Sequence, residues 1–388
     1  MNYRVHFLDN QRDFDETMTS IASDAWIGFD TEFVGEKTYI PVLCLIQIVT
    51  EHHIYLIDTL RINDLGRFLS ILENPDTLII THAGDNDYRL LNTLYGTVPA
   101  NTFDTQIAAG FVGYNYPAGF GKIVERELRV NLAKSHTVAD WESRPIDPKA
   151  LEYAVEDVKY LPALHHKLTH KLRLLHREEW AREENRKWES ARFYLVDPYK
   201  EALANDYLHQ LDFKEKIFFL RIYQWRRERA AALNIPKESV LQNRHISTVL
   251  RATKDGPNAF RANRTMPEGV WRKYLPEWQE LWKAKAVPAE RDWLAALPAP
   301  APDDPEQEWS MELLYHFVKR QCLLNEISAA LLLPKGEFNK LKSGTGFDES
   351  LLSGWRASLL GADLVHWLNK QGAISARWQG DACILTMD

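Results

Sequence analysis

The chain is predicted to fold as an α/β domain with a mixed sheet, followed by two all-α helical regions. Three observations carry this reading. Short apolar runs alternate with helical spacing only as far as about residue 170. Two of those runs follow each other closely enough to pair as a hairpin. Beyond them the pattern is helical throughout, broken most clearly by a stretch rich in alternating proline.

Taken in order, strands are expected at Tyr3–Phe7, Trp26–Phe29, Val42–Val49, Ile54–Ile57 and Leu78–Thr81. Helical spacing covers Phe14–Ser23 and Leu65–Leu72. The runs 42–49 and 54–57 are joined by Thr50-Glu51-His52-His53, which makes an antiparallel pair and a mixed sheet. Pro148 sits well for a first helical turn, and one or two long helices are expected from there to about Arg192. Asp197-Pro198 ends that block. A second block runs from about Tyr207 to Lys285, with a break near Asp255-Gly256-Pro257. A third, again mostly helical, follows the proline stretch to the end. The boundaries expected are 1–195, 205–286, a linker over 287–305, and 306–388.

With 388 residues the chain is long for one domain, and 45% hydrophobic with 26% charged residues is an ordinary globular balance. No run of eighteen apolar residues is present, and Met1–Phe7 lacks a signal-peptide pattern, so no membrane contact and a cytoplasmic location are expected. Cys44, Cys322 and Cys383 show no metal-ligand spacing and are read as reduced thiols. The net charge of −7 excludes a uniformly basic nucleic-acid binder. Yet residues 221–285 carry fourteen Lys or Arg against six Asp or Glu, a basic stretch beside an acidic region.

The chemistry concentrates in carboxylates. Trp26–Phe33 climbs as an apolar run to Asp30 and Glu32, which alternate onto one side of a strand. Two acids there repel each other unless a cation is shared, although they also suit a solvated strand end. The strand at 78–81 gives way to His82-Ala83-Gly84-Asp85-Asn86-Asp87, a polar turn where α/β sheets place sites. Simple helix capping would explain the same acids. Finally, Tyr153 and Asp157 lie four apart and share a helix face next to the apolar stripe of Leu151, Ala154, Val158 and Leu161.

In this order and at these intervals the residues resemble the DEDD 3′→5′ exonucleases, in the branch with Tyr in the third motif. Asp30–Val34, Thr38-Tyr39, Leu45-Ile46-Gln47, His82-Ala83-Gly84, Asp104-Thr105-Gln106, Lys134-Ser135, Asp140-Trp141, Arg144-Pro145 and Tyr153-Ala154 resemble bacterial ribonuclease D. Trp225–Arg229, Asn234-Ile235-Pro236 and Val240-Leu241 resemble the first HRDC domain of that family. Ile327-Ser328-Ala329, Phe338–Leu341 and Ser353–Arg356 are similar to its second, more divergent one. Around Leu132-Ala133-Lys134 the chain departs from the pattern, where an acid near Ala133 is expected.

The resemblance implies a ribonuclease H-like mixed sheet and a metal-dependent 3′→5′ exoribonuclease that trims RNA with a free 3′ end, such as tRNA precursors. Oxygen-only ligands suit two hard cations, Mg²⁺ or Mn²⁺, about 4 Å apart. Asp30, Glu32 and Asp157 would hold the one that activates water. Asp30 would bridge to the second, and Asp87 would hold it mainly through water. Tyr153, a poor base at neutral pH, would orient the nucleophile. Thr31, Phe33, His82, Lys134, Trp141 and Arg144 are candidates for substrate contact, each with a core or backbone-satisfying role as the alternative. Trp225, Arg226, Arg227 and Arg229 form a candidate nucleic-acid patch. No organic cofactor is expected, and a monomer is. A single-strand DNA exonuclease of the same superfamily and a non-catalytic RNA-binding protein remain alternatives.

Overall fold

A computed structural model describes residues 2–132, 139–197, 199–203, 205–256, 258, 260, 266–295, 305–342, 353–360, 374–380 and 382–387. The chain gathers into two compact units. The first comprises Met1–Phe33, Leu43–Tyr194 and Asp303–Asp388, and the second Val34–Val42 with Leu195–Pro302.

The first unit is built on six strands: β1 (Arg4–Leu8), β2 (Trp26–Val34), β3 (Val42–Val49), β4 (His53–Asp58), β5 (Leu78–Thr81) and β6 (Thr102–Asp104). Their order is β1-β4-β3-β2-β5-β6. The β3–β4 pair is antiparallel, as the short connection requires, while β1–β4, β2–β5 and β5–β6 are parallel. β2 therefore lies inside the sheet and delivers its C-terminal end, with Asp30 and Glu32, beside the end of β5. Ligand sites in such sheets gather at the carboxyl ends of parallel strands.

Helices α1 (Gln11–Ile21), α2 (Gly66–Leu72), α3 (Asp85–Tyr95), α4 (Thr105–Gly110) and α5 (Phe120–Leu128) flank the sheet, followed by α6 (Pro148–Lys159), α7 (Leu161–Leu174) and α8 (Glu178–Asn185). Asn10 caps α1 by accepting from Asp13 N, and Asp147 caps α6 by accepting from Lys149 N, with Pro148 in the first turn. Phe29 anchors the core, edge-on to Phe68 and Tyr88 at 5.8 and 5.7 Å. Gly28 sits where a Cβ would come within 2.6 Å of Val49 and 3.2 Å of Leu161, so its missing side chain lets α7 press onto β2.

Sequence periodicity did not disclose β6 or the helices α4 and α5. β6 is three residues long, too short for a period of two to register. The third block differs from expectation in two ways. It does not stand apart: residues 303–388 belong to the first unit. Trp355 packs edge-on to Phe111 at 4.8 Å, and Ser328 N donates to Gly110 O at 2.8 Å. It also ends in an antiparallel hairpin, β7 (Ile374–Gln379) with β8 (Ala382–Met387), rather than in helix. Gly380, at φ +61, supplies the left-handed turn residue that such a tight hairpin needs.

The second unit is helical: α9 (Lys200–Leu203), α10 (Phe213–Leu233), α11 (Lys237–Val240), α12 (Ile246–Asp255), α13 (Glu268–Lys283) and α14 (Pro288–Ala295). A capping box of Asp212 and Glu215 starts α10. Its Trp225 packs edge-on to Tyr274 and Trp278 of α13 at 5.0 and 5.4 Å. Part of the expected linker is thus α14, pinned because Arg221 Nε donates to buried Glu290 at 2.6 Å; residues 296–304 lie outside the described residues.

Candidate active site

Three carboxylates meet. Oxygens of Asp30, Glu32 and Asp157 all lie within 4.8 Å of one another, a spacing that suits one shared cation. The strand places Asp30 and Glu32 on one side of β2, and α6 brings Asp157 to them across the seat that Gly28 leaves for the start of α7. Asp157 Oδ2 is buried and has no hydrogen-bond partner, an orphan acceptor of the kind a cation satisfies. The set is oxygen only, which fits a hard divalent ion and not a Cys/His zinc site.

The electrostatics say the same. Burial, then Asp87, Asp157 and Glu32, lift the Asp30 carboxyl well above the usual carboxylate range. Burial, with Asp157 and Asp87, pushes Glu32 up to about 8. Asp157 is raised to about 7 by burial, against a lowering hydrogen bond from the Tyr153 hydroxyl. A cation would reverse all three shifts by favouring the charged forms.

Asp87 stands beside this trio rather than in it. It is 7% exposed, raised by burial to about 6, and accepts a short hydrogen bond from Thr31 Oγ1. Thr31, a candidate for substrate contact, is 6% exposed and spends its hydroxyl on Asp87, so it orients that carboxylate instead. Tyr153 is held protonated: burial and then Asp157, Glu32 and Asp30 all raise its hydroxyl. It can donate a hydrogen bond at neutral pH and cannot act as a base.

The turn before α3 is locked by Asp104. Its carboxylate accepts from Ala83 N at 3.1 Å and Gly84 N at 3.0 Å, while Ala83 adopts a left-handed φ of 58. This clamp fixes the turn from which α3 starts at Asp85 and so places Asp87 in the first turn of that helix, a role the D-T-Q triplet alone did not reveal. His82 bonds Thr105 Oγ1 at 2.9 Å through Nδ1 and packs on Phe120, the local structural role that was its alternative.

Two further candidates are corrected. The Arg144 guanidinium grips buried Asp58 through two 2.6 Å bonds and also donates to the carbonyls of Trp141, Ser143 and Cys44. With its donors committed inside the fold, it has none to offer a phosphate. Trp141 is 7% exposed and serves the core. Phe33 is half-buried against the same core, and Lys134 lies outside the described residues.

The basic patch also dissolves. Arg226 is 1% exposed, bonded to Glu201, Asn243 and Leu241 O, and Trp225 is buried with its Nε1 on Glu277. Arg229 pairs with the same Glu277 at 2.7 Å. Arg227 is half-buried. A basic count along the sequence does not distinguish cations facing solvent from cations neutralised inside a helical core.

Comparison with known proteins gives these residues a setting. A family model described as 3′-5′ exonuclease matches residues 5–173, which contain all five acid and Tyr positions. Ribonuclease D of Nitrobacter hamburgensis is 26% identical over 339 residues, covering 86% of this chain and 87% of its own. That of Desulfotalea psychrophila is 34% identical over 222 residues, 56% of this chain and 59% of its own. The crystal structure of Escherichia coli RNase D, described as an exoribonuclease involved in structured RNA processing, superposes with a TM-score of 0.82 at 27% identity. That superposition covers 96% of this chain and 99% of the other. Similar over nearly its whole length, in sequence and in fold, to ribonuclease D, with the acidic centre inside the exonuclease region, the chain is a 3′→5′ exoribonuclease.

Proposed function

We propose that Asp30, Glu32, Asp87 and Asp157 hold two divalent cations, Mg²⁺ or Mn²⁺, and that this centre releases nucleoside 5′-monophosphates from RNA 3′ ends, tRNA precursors among them. The observation that supports this most is the oxygen-only trio at 4.8 Å with its orphaned Asp157 Oδ2. Bound divalent ions supply the lowered water pKa and the charge neutralisation that phosphodiester hydrolysis needs. The residues do the rest. Asp30 faces both Asp157 and Asp87 electrostatically, which suits it to bridge. Thr31 fixes Asp87 by its hydrogen bond. Tyr153 keeps its proton and with it donates a hydrogen bond to Asp157 in the metal-free site; with a cation on that carboxylate, the hydroxyl would be free to orient the attacking water.

We also read 205–286 as a first HRDC domain and 306–388 as a second, divergent one, in a monomeric cytoplasmic protein. No helix among the described residues is long and apolar enough to cross a membrane.

The test pairs a 3′-labelled tRNA precursor with single-stranded DNA, each with Mg²⁺, Mn²⁺ or EDTA. Stepwise loss of 3′ nucleotides from the precursor as 5′-monophosphates, abolished by EDTA, is expected. Degradation of DNA alone would overturn the reading of the substrate.

A further inference from the structure

Strand β3 carries an amide, Gln47, in an otherwise apolar run. Gln47 is 0% exposed, and neither its Nε2 nor its Oε1 has a hydrogen-bond partner. A buried amide with both halves unpaired is costly, and an apolar residue of the same size would serve a core better.

Its place on the sheet follows from its neighbours. β2 and β3 are adjacent. Seven residues, 35–41, join them, whereas parallel neighbours need a crossover of about a dozen or more, so the pair is antiparallel. A Cβ on Gly28 would come within 2.6 Å of Val49, which sets these two residues side by side on one face. Side chains alternate along both strands. Two steps onward along β2 and two steps back along β3 therefore bring Asp30 beside Gln47 on that same face. On β4, Gln47 pairs with Leu56, which is buried, and Leu45 and Val49 flank it along its own strand. Those three are apolar, so Asp30 is the member of this neighbourhood that can accept a hydrogen bond.

Asp58 shows the contrasting arrangement. It pairs with Leu45 and so lies on the same face, but the Arg144 guanidinium takes both its oxygens at 2.6 Å. A carboxylate neutralised in that way has no charge left for a metal. An amide donor acts differently: it occupies one lone pair of a carboxylate, fixes its orientation and leaves the charge to the cations. Contacts of this kind behind the ligands orient metal sites and tune their affinity.

We infer that Gln47 is a positioning residue of the metal centre. Its Nε2 donates to Asp30 in the cation-bound site and holds that carboxylate in the orientation that bridges. The inference rests on the divalent-metal reading of the acids, and the measurements separate the two.

Gln47→Met keeps the length of the side chain and removes the amide. Leu56→Met alters the same face without a polar group and serves as the packing control. Mn²⁺ is titrated by calorimetry into the full chain of each, and melting temperatures are measured in EDTA. In Gln47→Met, Mn²⁺ affinity should fall about 10-fold or more. Its metal-free melting temperature should equal or exceed that of the wild type, because no bonded group has been lost. Leu56→Met should bind Mn²⁺ as the wild type does. In RNA trimming, the Gln47→Met defect should appear at limiting Mn²⁺ and fade towards saturation, with KM for RNA unchanged. Unchanged Mn²⁺ affinity in Gln47→Met would overturn the inference, as would an equal loss in Leu56→Met. A Gln47→Met protein that is destabilised or does not fold would overturn it too, by showing that the amide is already bonded in the metal-free core. Wild-type protein that binds no Mn²⁺ would instead strike at the metal reading itself.

Discussion

Replacing Asp30 by Asn removes one charge from the most crowded position of the acidic centre. Because burial and three neighbouring acids raise its carboxyl, the substitution should raise the melting temperature of metal-free protein at about pH 8 while abolishing nuclease activity. Thermal melts in EDTA check the first half, and a fall in stability would show that the acids are not mutually strained. Tyr153→Phe keeps the ring and deletes the donor; turnover should drop about 10²-fold or more with little change in stability. Near-normal turnover would remove Tyr153 from the chemistry. Arg144→Ala should behave in the opposite sense, costing about 3 kcal/mol in denaturant unfolding because it takes from buried Asp58 its bidentate partner and leaves only Arg61 at 3.7 Å. The acids and Tyr153 were legible because their signals are local: a period of two on a strand, and a spacing of four on a helix. Arg144 and Arg226 were not, because a cation's role is set by its partner. Arg144 finds its partner 86 residues away.

At the level of elements, β2, α3 and α6 each bring acids whose titration ties stability to pH. Their folded carboxyls sit above the ordinary unfolded range, with Asp87 at about 6, Asp157 at about 7 and Glu32 at about 8. Between roughly pH 4 and pH 8 the folded state thus holds more protons than the unfolded one, and stability falls as pH rises. In EDTA the melting temperature should decline across that window, and Mg²⁺ should restore it most at the alkaline end. A metal effect equal at both ends would mean that the ion binds elsewhere. Gly28 connects these elements, since α7 rests on the space it leaves. The hairpin β3–β4 and the central strands were readable from apolar runs and a short connection. β6, α4 and the Asp104 clamp were not, because short segments held by one carboxylate leave no period to read.

For the whole molecule, the sequence divides by composition while the fold divides by contact. The proline stretch marks a break in pattern, yet residues 303–388 join the α/β unit. Leu331 packs on Gly110, and Trp355 donates to Glu183 and Glu184 of α8. Trp355→Ala should therefore destabilise the exonuclease unit by about 3–5 kcal/mol, measured by denaturant unfolding of that unit. A silent substitution would show that the C-terminal block is only an appendage.

The central claim is that these carboxylates form a divalent-metal centre, and Mn²⁺ binding to the full chain by calorimetry tests it most directly. Ligands that must shed protons bind metal more tightly, and with more proton release, at about pH 8 than at about pH 6. The account expects that pH dependence in the wild type and its loss, together with binding itself, in Asp30→Asn. Affinity that is indifferent to pH, or that survives Asp30→Asn, would contradict it.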